Sequence, residues 1–202
     1  MPVLQLESIG KQFRGHWLFK DLNLWIEPGS GLAITGPNGS GKSTLLQCLA
    51  GLVSLDTGQM KWSESPIGRP AMASPTIEIP GEFTLTEMLE FHFTINPMLA
   101  GYDALQELDS SGLRATPPLQ IRHFSSGMLQ KLRLVLATLS DSSLLLLDEP
   151  YSHLDAHGQH WFQNLLPKVS KHRCLVIASN NPAEYTLCNN HLFLNDSLVY
   201  PA

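Results

Sequence analysis

The apolar positions of this chain change period several times, and each change marks an element. Residues 3–8 alternate apolar and polar, as do residues 18–26, where Leu22, Leu24 and Ile26 share one face. That period of two predicts half-buried strands. The segment between them, Lys11 to Gly15, reads as a loop with one aromatic ring, Phe13. Unbroken apolar runs at 32–35, 144–147 and 174–179 predict strands buried on both faces. A fourth strand is expected at 59–62, after the turn Asp56-Thr57-Gly58. Helical periods lie between: 43–50 with Gly51 as its stop, 128–139 behind Ser125-Ser126-Gly127, and 156–166 ended by Pro167. Thr84-Leu85-Thr86-Glu87 has the form of a capping box. The helix it opens uses Met88, Leu89, Phe91, His92 and Ile95 and is closed by Pro97.

Other stretches carry weaker patterns. Residues 63–80 hold Pro66, Pro70, Pro75 and Pro80 and read as loop around one short strand. A second weak helix is expected at 102–108, so that 84–122 forms a small helical insertion. Asn181-Pro182-Ala183-Glu184 has the residues of a helix start. Residues 191–200 read as a closing hairpin about Asn195-Asp196. Strand–helix alternation with buried strands predicts an α/β fold: a mostly parallel sheet core with N-terminal antiparallel strands and a small helical subdomain.

One loop gives this pattern a chemistry. Gly36-Pro37-Asn38-Gly39-Ser40-Gly41-Lys42-Ser43-Thr44 follows a buried strand and opens a helix. The glycines permit positive φ and close approach, and the loop N–H groups and helix N-terminus face an anion. Lys42 is spaced to reach the β- and γ-phosphates of a nucleoside triphosphate, and the Ser43 hydroxyl to ligate Mg²⁺. Asp148-Glu149 ends the run of four leucines at 144–147, a second site for Mg²⁺ chemistry at the carboxyl end of a strand. The remaining composition narrows the reading. The 202 residues suit one domain, and the net charge of −5 argues against nucleic acid as partner. Three widely spaced cysteines form no disulfide framework. With no signal-like N-terminus and no long apolar run, a cytoplasmic location is expected.

At this point the chain resembles the ATP-binding subunits of ATP-binding-cassette (ABC) transporters over nearly all of residues 1–202. His123-Phe124-Ser125-Ser126-Gly127-Met128 is similar to the family's signature motif, in a variant form, and Ser152-His153-Leu154-Asp155 to its D-loop. Small bacterial members, among them the ATPase of the haem exporter of cytochrome c maturation, are similarly short. The resemblance implies a phosphate-loop NTPase that binds ATP and Mg²⁺ as a head-to-tail homodimer or paired subunit. Phe13 would stack on adenine, and residues 36–44 would bind the phosphates. Ser43 and Asp148 would hold the metal, and Glu149 would activate water. Ser125, Ser126 and Gly127 would act on the partner's ATP, flanked by Ser152 and Asp155. Hydrolysis would drive a membrane permease, with the chain peripheral on the inner face of the membrane.

Two departures bear on the ATPase rate. The family's loop Gln should lie near Ser74-Pro75-Thr76, yet no Gln occurs between Gln59 and Gln106. Its switch His is replaced by Asn180-Asn181, and Asn180 is expected to take that place. The alternatives to a transport ATPase are a catalytically weak ATP sensor, which these departures favour, and a soluble member of the family outside transport.

Overall fold

A computed structural model describes residues 4–62, 70–114, 118–171 and 173–195. Among these, Leu4–Phe13 (β1), His16–Ile26 (β2) and Thr57–Trp62 (β4) form an antiparallel sheet in the order β2-β1-β4. Gly31–Thr35 (β3), Ala71–Ala73 (β5), Leu144–Asp148 (β6), Cys174–Ala178 (β7) and Asn190–Phe193 (β8) form a parallel sheet in the order β5-β6-β7-β3-β8. The helices are Lys42–Leu49 (α1), Leu85–Ile95 (α2), Ala104–Ser110 (α3), Ser126–Leu139 (α4) and Ala156–Val169 (α5).

The unbroken apolar runs are explained by what covers them. Leu144 and Leu146 of β6 face a core shared with α1 and the antiparallel sheet. Leu145 and Leu147 face a second core under α2 to α5. All four have no exposed surface, so truncating any one costs about 2–5 kcal/mol. The parallel register sets Ile34 opposite Ala178 and Asp148 opposite Ala178 as well. The loops after β3, β6 and β7 therefore emerge at one edge, where ligands of open α/β sheets bind. Among the described residues no helix is long and apolar enough to cross a membrane.

Several boundaries differ from the sequence expectation, each for a local reason. β1 runs through the expected loop to Phe13, because Phe13 pairs with His16 across an Arg14-Gly15 turn in which both residues have positive φ. α5 passes Pro167 and ends at Val169. The interior proline costs roughly 3 kcal/mol, and burial of Leu166 and Val169 at about 1.5–3 kcal/mol each offsets it. The helix expected at Asn181 is a single 3₁₀ turn, Pro182–Glu184, since the chain must return to the sheet by Asn190. The first arm of the closing hairpin is β8, parallel to β3; its second arm lies outside the described residues. The short strand expected within 63–80 is β5, and residues 63–69 lie outside the described residues.

The capping box forms as read: the Thr84 hydroxyl accepts from Glu87 N–H and the Glu87 carboxylate from Thr84 N–H. That cap settles Leu85, Met88 and Leu89 into the core, and leaves Phe91 and Ile95 50% and 59% exposed. The helical period thus marks a face of which Met88 and Leu89 are core and Phe91 and Ile95 are not. The two ends of the 84–122 segment meet, with Thr84 bridged to Gln120 and Ile121 N–H donating to Phe83 O at 2.9 Å.

Candidate functional site

A cleft of about 640 Å³ opens at the sheet edge, lined by Phe13, Lys42, Ser43, Thr44, Gln47 and Glu149 among others. Its floor is the glycine loop. Gly36, Gly39 and Gly41 have φ of 145°, 87° and 91°, conformations that L-residues with a Cβ rarely adopt. At Gly36 space also forbids a side chain, because a Cβ would lie 2.0 Å from Leu194 O. The Lys42 Nζ donates to Gly36 O at 2.7 Å and Pro37 O at 2.9 Å, which keeps its charge folded over the cradle. Asn38 and Gly39 are exposed, and Ser40 is buried beneath them.

Packing of α1 against β6 and β7 brings Ser43 to Asp148. The Ser43 hydroxyl donates to Asp148 Oδ1 at 3.1 Å and the Ser74 hydroxyl to Oδ2 at 2.9 Å. Burial raises the Asp148 pKa, and these two hydroxyls act against it. Ser74 spends its only proton on Asp148, so the Thr76 hydroxyl, 2.8 Å away, must donate to Ser74. Gln47 Nε2 lies 3.4 Å from Thr76 Oγ1 and completes the line. Where the resemblance expects a loop Gln, the chain therefore has hydroxyls, with an amide reaching in from α1.

Glu149 is exposed in the cleft on a backbone with φ of 44°, and its N–H donates to Ala178 O at 2.9 Å. The two asparagines after β7 have separate tasks. Asn180 Oδ1 accepts from Gly36 N–H at 3.1 Å, so Asn180 sits on the phosphate loop. Asn181 Oδ1 accepts from Ala183 N–H and caps the turn. Phe13 stands at the end of β1, 62% exposed, with the Arg14 guanidinium 5.3 Å from its ring centre.

Ser125, Ser126 and Gly127 are not among the residues that line the cleft. Ser125 caps α4 by accepting from Met128 N–H at 3.2 Å, and both serines face solvent. Gly127 is required where it stands, because a Cβ there would lie 2.9 Å from His153 O. The start of α4 thus abuts the turn after Glu149. In that turn Ser152 N–H donates to Glu149 O, and Asp155 caps α5 through Gly158 N–H at 2.8 Å. That N–H, with Lys131 3.8 Å away, holds the Asp155 carboxyl below its ordinary range.

Sequence reasoning missed two buried groups beside the site. Gln130 of α4 donates to Pro150 O at 3.0 Å, and Glu184 Oε1 accepts from Tyr151 N–H at 3.1 Å. The available signals were slight: an amide inside an apolar helical period, and an acid among the residues of an expected helix start.

Comparison with known proteins accords with this geometry. A family model described as ABC transporter matches residues 19–152. The chain is 35% identical over 162 residues to the cytochrome c biogenesis ATP-binding export protein CcmA of Nitrosococcus oceani, covering 76% of this chain and 74% of that one. It is 29% identical over 176 residues to the zinc import ATP-binding protein ZnuC of Pseudomonas fluorescens, covering 87% and 66%. Among solved structures it superposes on an ATP-binding cassette in a dimeric post-hydrolysis state bound to ADP and Pi, with a TM-score of 0.82. That likeness covers 96% of this chain and 94% of the other at 19% identity, and shows the fold alone.

Proposed function

Because this chain belongs to the ABC transporter family of ATP-binding subunits, we propose that its cleft binds Mg·ATP and that hydrolysis there energises a separate membrane permease. The observation that carries the reading is the convergence of Lys42, Ser43, Asp148 and Glu149 at the end of one parallel sheet. Loop N–H groups of residues 36–44 and the N-terminus of α1 receive the phosphates, and Lys42 leaves its carbonyl partners for the β- and γ-oxygens. Phe13 offers its exposed ring to adenine. The Ser43 hydroxyl and Asp148 carboxylate, 3.1 Å apart, are hard oxygen donors suited to Mg²⁺, which when bound neutralises phosphate charge. Glu149 accepts the proton of the attacking water as the bond between the γ-phosphorus and ADP breaks. Asn180, with Oδ1 held by Gly36, is left with its NH₂ group to donate to the γ-phosphate.

The exposed Ser125 and Ser126 and the half-buried Gly127 serve the ATP of a second cassette, with Ser152 and Asp155 at the same contact. Ser125 gives up its cap to do so. Residues 84–122 form the helical subdomain of a single nucleotide-binding domain spanning 1–202. Its exposed Ile95 lines a groove of about 520 Å³ between β5, α2 and α4, with exposed Phe91 one turn earlier on α2, and the groove suits an apolar segment of the permease. That contact would hold the chain at the inner face of the membrane. Relatives named for export and for import share this cassette, so cargo and direction reside in the permease.

The sensor reading is favoured by one specific observation: a neutral Asn180 and a hydroxyl line stand where the family uses His and Gln. Turnover measured in the permease complex separates the two. For the nucleotide site itself, Lys42→Ala is expected to weaken ATP binding and abolish hydrolysis. Unchanged affinity and turnover in that variant overturn the assignment.

A further inference from the structure

Glu149 is held in a left-handed backbone conformation, which a residue with a Cβ keeps only when its surroundings impose it. Three contacts do so here. Its own N–H is taken by Ala178 O of β7. The next residue, Pro150, has its carbonyl bound by Gln130 Nε2, and the one after, Tyr151, has its N–H bound by Glu184 Oε1. Gln130 is 0% exposed and Glu184 6%. Each also leaves one buried oxygen, Gln130 Oε1 and Glu184 Oε2, with no hydrogen-bond partner among the described residues. An orphaned buried oxygen destabilises a fold, and an apolar side chain of the same length would avoid it. Two such residues, from segments far apart in sequence, meet on consecutive residues of one turn. The electrostatics agree: burial raises the Glu184 pKa, with the Ser179 hydroxyl, near the carboxyl but without hydrogen-bond geometry to Oε2, and the Tyr151 N–H opposing it.

We propose that Gln130 and Glu184 are positioning residues for Glu149, a clamp that fixes the turn carrying its carboxylate into the cleft. One jaw rides on α4, which Ser125 caps; the other rides on the turn that begins beside Asn180. Both are buried, and their hydrogen bonds go to the backbone of the turn. The clamp ties Glu149 to the helix whose first residues face a second cassette. It rests on the reading of Glu149 as proton acceptor.

The test is steady-state hydrolysis of Mg·ATP by the full chain. Loss of one jaw is expected to lower kcat on the order of tenfold or more, as sub-ångström misplacement does. KM for ATP is expected to stay within about twofold, since binding contacts are untouched. Glu184→Ala and Gln130→Met are the two losses. Glu184→Gln still accepts from Tyr151 N–H and is expected to retain most of the turnover. Gln130→Met removes an orphaned oxygen along with the bond, so the test does not hang on Glu184→Ala folding. Unchanged kcat in Gln130→Met overturns the clamp. So does a Glu184→Gln variant as slow as Glu184→Ala, because charge and not the hydrogen bond would then be what matters. Lys42→Ala, run alongside, separates the failures. Hydrolysis indifferent to Lys42 overturns the reading of the cleft. Hydrolysis that needs Lys42 but neither jaw overturns the clamp alone.

Discussion

Two depressions of comparable volume, the nucleotide cleft at about 640 Å³ and the groove at about 520 Å³, are both lined largely by apolar surface and differ in how their polar groups are placed. The cleft collects polar groups: loop N–H groups, Lys42, Ser43 and Glu149, set at the ends of parallel strands. The groove collects apolar side chains from β5, α2 and α4, such as Met88, Ile95 and Leu136. Exposed Glu78 and Asp141 line it as well, while two of its other polar side chains are spent inward. Arg133 Nε donates to Ile77 O at 2.9 Å, and His92 Nε2 sits 3.1 Å from Leu136 O and 2.9 Å from Ser140 Oγ. The cleft is equipped to bind a charged molecule and change it; the groove is equipped only to bind. What joins them is α4, which presents Ser125 at its start, touches Pro150 through Gln130, and walls the groove with Leu136 and Ala137.

If the cleft alone carries the chemistry, its largest break is at Glu149. Glu149→Gln keeps the shape and loses the basicity, so hydrolysis should fall by about 10²–10⁴-fold while ATP binding persists. The trapped state should be a dimer, seen by light scattering with ATP and absent with ADP. A variant that stays monomeric at saturating ATP breaks the head-to-tail pairing.

The shared helix gives the next effect. Arg173, 5% exposed, donates to Thr138 O, Ser140 O, Ser142 O and the Ser142 hydroxyl, and so pins the end of α4 to the start of β6. Its burial pulls the guanidinium pKa down to about 10. Arg173→Met leaves those carbonyls without a donor and should cost on the order of 3 kcal/mol, read as a lower urea midpoint. An unchanged midpoint means that α4 is anchored elsewhere.

The same contrast governs what the sequence disclosed. The cleft was legible because residues 36–44 are contiguous and because runs such as 144–147 name buried strands whose ends must lie together. The groove was not, since its walls come from α2 and α4, with His92 and Leu136 44 residues apart. Helical period alone marked Phe91 and Ile95 as apolar and could not tell a core face from an outer one. Gln130 and Glu184 were invisible for a related reason: a buried polar residue declares itself only through a partner that the fold supplies. Asn180 was favoured over Asn181 by position alone, and what separates their tasks is a contact that only the fold supplies, Asn180 on Gly36.

That last distinction supplies a smaller test beside the phosphate loop. Groups aimed at developing charge contribute about 10²–10³ in rate, and on the proposed reading Asn180 would offer one neutral hydrogen bond in such a place. Asn180→His should therefore raise kcat by roughly tenfold, part of that contribution, with KM nearly unchanged. Asn181→His should raise nothing, because Asn181 caps a turn. Wild-type turnover equal to that of Asn180→His would make Asn180 a competent substitute and remove the sensor reading's main support.

The smallest effect on the isolated chain is expected in the groove, and it is the sharpest test of the contrast. Phe91 and Ile95 lie half or more in solvent, and Phe91 is stacked on the Phe83 ring at 5.5 Å. Replacing exposed side chains typically changes stability by no more than about 0.5 kcal/mol. The double substitution Phe91→Glu, Ile95→Glu should therefore leave the melting temperature, kcat and KM of the purified chain where they were. Both carboxylates would face solvent, so folding demands no desolvation of them. Docking an apolar permease segment does demand it, and an unpaired buried carboxylate costs several kcal/mol. Co-purification with the permease should then be lost while ATP hydrolysis in solution persists. A large drop in stability would return these rings to the core, and a complex that survives would move the docking site off α2. Hydrolysis that fell along with docking would mean that the groove and the cleft are not separable, and that α4 transmits strain from one to the other even without a partner.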